Sequence, residues 1–226
     1  TPNYDHLNHV ADFEKKIGVR STFFFHCRRK RRSTSKWLMD PSYFLTPEIL
    51  KFIKTRSREG FKFGIHPSFF SWKNPEEIKY ERELLENATS LRVDSIRQHW
   101  LRFSWNNTWK AQIQAGLKYD MTLGFNDSPG FRTGAALEYH PWILNENSVL
   151  EILTCPLILM DSHLYSYQGL NGSQRKELMQ KLVSEVVAVR GKAAILWHPH
   201  TISDDFGWGQ SFQDLLEILK RESQIR

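Results

Sequence analysis

Cysteine is scarce: two residues in 226, Cys27 and Cys155, far apart and in neither a C-x-x-C nor a Cys/His zinc-finger spacing. That scarcity argues against a disulfide framework and a structural zinc knuckle, and the two read as ordinary buried thiols. Long apolar runs are also lacking. The longest, Val149 to Met160, is interrupted by Glu151, Thr154 and Pro156, and it falls short of the roughly 20 residues that cross a bilayer as a helix. No membrane span is expected. No G-x-G-x-x-G or P-loop pattern follows a strand-like run, which lowers the weight of nucleotide binding. An initiator methionine is absent as well; the sequence opens on Thr1-Pro2, so a processed or partial chain is expected, and localisation stays open.

What is present is enough for one sizeable core, with 40% hydrophobic residues and no compositional sign of disorder. A single domain over residues 1–226 is expected. The net charge of +6 owes much to Arg28, Arg29, Lys30, Arg31 and Arg32, a run that reads as a solvated loop. No aromatic-interleaved basic stripe or recognition helix accompanies it, so nucleic acid is not the expected partner.

Apolar, β-branched and aromatic runs predict strands near 19–25, 61–66, 93–99, 119–124, 150–160 and 193–198. Between them, Thr46-Pro47 and Asn74-Pro75 each set a capping side chain before a proline at the first helical position, and Glu77 completes a capping-box pattern. Those helices should run to about Arg58 and Ser90. A helix from Ser173 to Arg190 is predicted by Leu178, Met179, Leu182, Val183, Val186 and Val187, with Gly191 at the C-cap. The same spacing recurs over Phe212 to Leu219. Strands alternating with helices predict βα units and a parallel sheet, doubly wound or closed into a barrel. His66, Arg97, His99, Asp161 and His198 all fall at predicted strand ends, the active-site face of such barrels.

Three segments carry the density of chemistry. Gly64-Ile65-His66-Pro67-Ser68 ends a strand in a histidine beside a turn. Ile96-Arg97-Gln98-His99-Trp100-Leu101-Arg102-Phe103 packs two arginines, a histidine and two aromatics into eight residues, and arginine is rarely buried without a partner. Ala194 to His200 delivers His198 before a proline turn. Three strand-end histidines in one βα pattern point to a metal or acid–base site.

Ser21-Thr22-Phe23-Phe24-Phe25, Gly64 to Ser68, Arg97-Gln98-His99-Trp100, Asp127-Ser128-Pro129-Gly130-Phe131-Arg132 and Leu196-Trp197-His198 occur in the order seen in polysaccharide deacetylases. The chain resembles a divergent bacterial branch of that family over nearly its whole length. The resemblance implies a distorted (β/α) barrel of about seven strands, a divalent metal, usually zinc, and removal of acetyl groups from N-acetylated sugars. It implies metal binding by a first-strand aspartate and an H-x-x-x-H turn, in which His66 matches the first histidine while Phe70 occupies the place of the second. His99 is the substitute candidate. It further implies that Arg97 orients the catalytic carboxylate, that Asp161 supports it and that His198 is the general acid, with Trp100, Arg102, Phe131, Arg132 and Trp197 along the substrate groove.

The family's first motif, which supplies the catalytic base and a metal-binding aspartate, has no match here. Asp5 reads instead as the N-terminal residue of a helix over 4–17, where negative charge is favourable. A barrel lacking its first strand would leave unpaired edges, so that strand is expected upstream. Two other readings stay open: a C–N hydrolase acting on a non-sugar amide, and a non-catalytic carbohydrate-binding barrel.

Overall fold

A computed structural model of the chain describes residues 6–27, 40 and 45–223. Asp5 and the basic run at 28–32 lie outside the described residues. In chain order the elements are α1 (Leu7–Ile17), β1 (Thr22–Phe25), α2 (Pro47–Arg58), β2 (Lys62–Ile65), α3 (Pro75–Thr89), β3 (Ser95–Ile96), α4 (Thr108–Gln114), β4 (Tyr119–Asp120), β5 (Trp142–Ile143), β6 (Ser148–Val149), β7 (Leu153–Thr154), β8 (Leu157–Met160), α5 (Gly172–Ala188), β9 (Ala194–Leu196) and α6 (Gly209–Ser223). The protein is mixed α/β with a parallel sheet. It divides into two compact units, one of Thr22–Leu123 with Tyr139–Cys155, the other of Thr1–Ser21, Gly124–Glu138 and Pro156–Arg226.

In the first unit, five parallel strands are ordered β1-β2-β3-β4-β7. The register sets Phe23 beside Phe63 and Phe24 beside Gly64. Gly64 is required there, because a Cβ would come within 2.7 Å of the Ser95 carbonyl oxygen and 2.5 Å of the Phe24 ring. Phe23 and Phe63 stack at 6.0 Å, and Phe52 of α2 meets Phe23 edge-on at 5.2 Å, so aromatic packing seats that helix on the sheet. The predicted caps hold: Thr46 accepts the Ile49 N–H, and Asn74 accepts the Glu77 N–H at 3.2 Å. Trp109, Leu123, Ile143 and Ile152 form a second apolar cluster. The hairpin β5–β6 is antiparallel, and neither it nor α4 was predicted.

The second unit contains the parallel pair β8–β9. Ile158, Leu159, Leu164, Met179, Leu182, Val183, Leu215 and Ile218 make its core, joining β8 to α5 and α6. Asn171 and Gln174 complete a reciprocal capping box at the start of α5. The strand predicted over 150–160 is two strands, because Pro156 has no N–H to donate to a ladder. Gly191 also works differently from the expected cap. Arg190 takes the left-handed conformation (φ 51°), while Gly191 admits the Ala136 carbonyl oxygen, which would lie 2.0 Å from a Cβ. The described residues thus hold five parallel strands in one unit and a parallel pair in the other, in separate ladders rather than in one closed sheet.

Candidate active site

The carboxyl ends of β1, β2 and β3 bring three imidazoles together. His26 directly follows β1, and its Nδ1 donates to the His66 carbonyl at 3.1 Å. His66 follows β2, and its own Nδ1 meets the Arg97 carbonyl at 2.8 Å. The His66 and His99 rings lie 4.8 Å apart, and those of His26 and His99 6.0 Å. Burial first, then the neighbouring His99, holds the His66 imidazole well below the ordinary histidine range.

Asp40 completes the group. Its Oδ1 accepts the Phe69 N–H at 2.7 Å and lies 3.3 Å from His99 Nδ1. Burial pushes its carboxyl up, but the His99 contact, the Phe69 N–H and the nearby His26 outweigh it, leaving the carboxyl below its usual range. One donor atom from each of His26, Asp40 and His99 falls within 4.8 Å of the others. His99 Nδ1 is buried without a well-formed hydrogen bond. Two imidazoles and a carboxylate, three donor groups, fit a divalent cation, and nitrogen–oxygen donor sets of this kind suit zinc. Beside them, fully buried Glu81 receives the Ser68 N–H on both oxygens and lies 4.0 Å from His26 Nδ1.

Arg97 is buried, its guanidinium 4.6 Å from the Phe24 ring centroid and its Nε donating to the Met121 carbonyl at 3.0 Å. Burial pushes it down to about 10, against the pull of Cys155 and Asp120. Among the described residues it forms no ion pair with a carboxylate. Asp120, pushed up to about 6 by burial, is held by Thr122, Gln112 and Trp109. Burial also raises the Cys27 thiol to about 12, and both cysteines are buried thiols outside any disulfide, as expected.

Trp100 is 63% exposed with φ at 57°, and Leu101 follows at 50°. Two consecutive left-handed non-glycine residues are strained, and strain of this kind clusters at functional positions. Phe70, where the resemblance expects a second histidine, is exposed, and its ring lies with those of Phe69 and Trp72 around the Arg102 guanidinium, at 4.3 to 5.3 Å.

The second unit builds a separate acid–base pair. Asp161, fully buried at the end of β8, accepts from His198 Nδ1 at 2.8 Å, the His198 N–H at 2.9 Å, the Thr201 hydroxyl at 3.0 Å and the Ser162 N–H at 2.8 Å. His198 follows β9 and remains 45% exposed at its side chain. A carboxylate on Nδ1 fixes the tautomer and leaves Nε2 to accept or deliver a proton. Of the groove residues expected in this unit, Trp197 packs against Phe212 at 5.5 Å and, with Phe131, against the core, while Arg132 donates to the Gly124 carbonyl at 2.9 Å.

No protein-family model matches the sequence, and no curated protein matches it either. Solved structures do. A Mycobacterium smegmatis protein described as a polysaccharide deacetylase superposes over 95% of this chain and 70% of its own, at TM-score 0.61 and 16% identity. The fold is that of polysaccharide deacetylases. A Pseudomonas aeruginosa PAO1 protein so described aligns over 93% of this chain and 65% of its own, at TM-score 0.56 and 12% identity. An allantoinase shares the deacetylase fold too, over 95% of this chain and 66% of its own, at TM-score 0.63 and 15% identity. The chain thus spans about two thirds of the length of these proteins.

Within the deacetylase fold, His66, His99 and Arg97 gather in one unit and Asp161 with His198 in the other. Sequence reasoning missed His26 and Asp40. The first had a signal, since it follows the Thr22–Phe25 strand as His66 follows its own. Asp40 had none, standing in a stretch without strand or helix periodicity.

Proposed function

We propose that the chain is a metal-dependent hydrolase that removes N-acyl groups, acetyl foremost, from an amino sugar or polysaccharide. The His198–Asp161 pair carries this reading, because it is an oriented, half-exposed imidazole backed by a buried carboxylate. Cleaving an amide requires water to attack the acyl carbon and the nitrogen to leave protonated. The proton lost by water would pass to a carboxylate, a role the resemblance gives to an aspartate of the family's first motif, which has no match in this sequence. Imidazolium at His198 then delivers the Nε2 proton to the departing nitrogen as the C–N bond breaks, releasing acetate and a free amine. Asp161 stabilises that imidazolium and fixes its orientation. A divalent cation, zinc by the donor chemistry, would sit at the histidine–aspartate cluster, where such an ion polarises an acyl oxygen and acidifies water. Trp100 offers its exposed indole face to a sugar ring, with Arg102 beside it.

The comparable likeness to an allantoinase favours a second reading, hydrolysis of a non-sugar amide by the same groups. Acetate release from N-acetylated chito-oligosaccharides, set against ring opening of allantoin, separates the two. General acid catalysis contributes about 10²- to 10⁴-fold, so in a protein that carries the first-motif carboxylate His198→Ala should lower turnover by that factor with metal content unchanged. Unaltered turnover would remove His198 from the chemistry.

A further inference from the structure

We propose that His26, Asp40 and His99 form a three-residue ligand set for a divalent cation, in which Asp40 takes over from the histidine that Phe70 displaces. The inference deepens the proposed function by naming the ligands on which its metal dependence would rest.

Three features of the cluster carry it. The first is convergence, with one donor atom from each residue inside 4.8 Å, although they come from the end of β1, an intervening segment and the end of β3. The second is support behind the donors. His26 gives its Nδ1 proton to the His66 carbonyl, the backbone contact by which metal-binding imidazoles are commonly fixed as the tautomer with a lone pair on Nε2. Asp40 is oriented by the Phe69 N–H. Ser68 and Phe69, adjacent in the turn after β2, thus send their N–H groups to two carboxylates, Glu81 and Asp40. That turn, where the resemblance expects a second ligand and Phe70 stands, positions one through its backbone. The third feature is the buried Nδ1 of His99, which lies 3.3 Å from Asp40 Oδ1 without a well-formed hydrogen bond. A buried nitrogen that makes only a poorly aligned contact is incompletely satisfied, and a cation shared with Asp40 completes it.

His66 takes a different part. Its Nδ1 is engaged by the Arg97 carbonyl, its carbonyl holds His26 and its ring lies against His99. The carbonyl survives replacement of the side chain, so His66→Ala discriminates between this set and the one in which His66 is a ligand.

The experiment is zinc titration of the 226-residue chain after chelator treatment, with zinc per chain measured by elemental analysis. Wild type and His66→Ala should each bind one zinc with affinities within tenfold of one another. His26→Ala, Asp40→Asn and His99→Ala should bind at least about a hundredfold more weakly, since losing even an outer partner of a ligand costs 10- to 100-fold. Circular dichroism of the zinc-free proteins shows which variants are folded. For any that is not, nitrogen-detected NMR of the wild-type imidazoles substitutes: zinc should move the His26 and His99 ring signals and leave those of His198 and His200 in place. Loss of zinc in His66→Ala, retention in His26→Ala or Asp40→Asn, or unmoved His26 and His99 signals would overturn the ligand set. Zinc bound as proposed without any deacylation would instead count against the enzyme reading and leave the set standing.

Discussion

At the scale of single residues, the protein's histidines do different work according to what meets each ring nitrogen. His163 is the clearest case outside the two clusters: its Nδ1 accepts the Met160 N–H at 3.1 Å, and its Nε2 lies 3.2 Å from the Phe125 carbonyl. Protonating Nδ1 would set two donors face to face. Burial, more than any neighbour, lowers its pKa. Below pH 6.5 the unfolded chain takes up a proton that the folded chain refuses, so stability is lost as pH falls through 6.5, with a limiting slope of about 1.4 kcal/mol per pH unit. Asp120, raised to about 6, works in the opposite direction between the ordinary aspartate value of 3.8 and that pH, because its folded form binds the proton first. His163→Asn keeps an acceptor for Met160 without titrating, and the Asp120 contribution is common to both proteins. The urea midpoint should therefore drop less between pH 7.5 and 5.5 in His163→Asn than in wild type; an equal drop would show that His163 does not resist protonation. The strand-end residues His66, Arg97, His99, Asp161 and His198 were legible because a βα pattern tells which end of each strand faces the site. Their partners were less so. Arg97 lies over Phe24 and bonds a backbone carbonyl, contacts that depend on register and not on residue type.

At the scale of elements, periodicity located α2, α3, α5 and α6, since amphipathic spacing and capping side chains are local signals. Short strands such as β3 and β4, two residues each, are set by their neighbours, and a π-helical turn at His163–Tyr167 leaves no local trace. Gly191 shows the limit of local reading, being required by packing against Ala136 rather than by a left-handed backbone. Removing the α5 capping box with Asn171→Ala should cost about 1 kcal/mol. Gly191→Ala must displace a backbone oxygen, and overpacking of that kind costs about 1–3 kcal/mol or more. Thermal melts should rank Gly191→Ala below Asn171→Ala; the reverse order would mean that the segment around Ala136 yields easily.

At the scale of the whole molecule, the chain passes from one compact unit to the other four times, at 21/22, 123/124, 138/139 and 155/156. Neither unit is a continuous stretch of sequence, which is why a compositional search for a linker finds none. Within the second unit α1, near the start, packs against α6, near the end. A ribosome must therefore release α6 before α1 can meet that partner, and until then the buried face of α1 at Val10 and Ala11 lacks this cover. Maturation of this unit belongs after translation, with the nascent chain dependent on whatever shields it meanwhile. Nascent chains stalled before residue 209 should leave α1 open to protease, whereas full-length protein protects it; early protection would show that α1 finds shelter without α6.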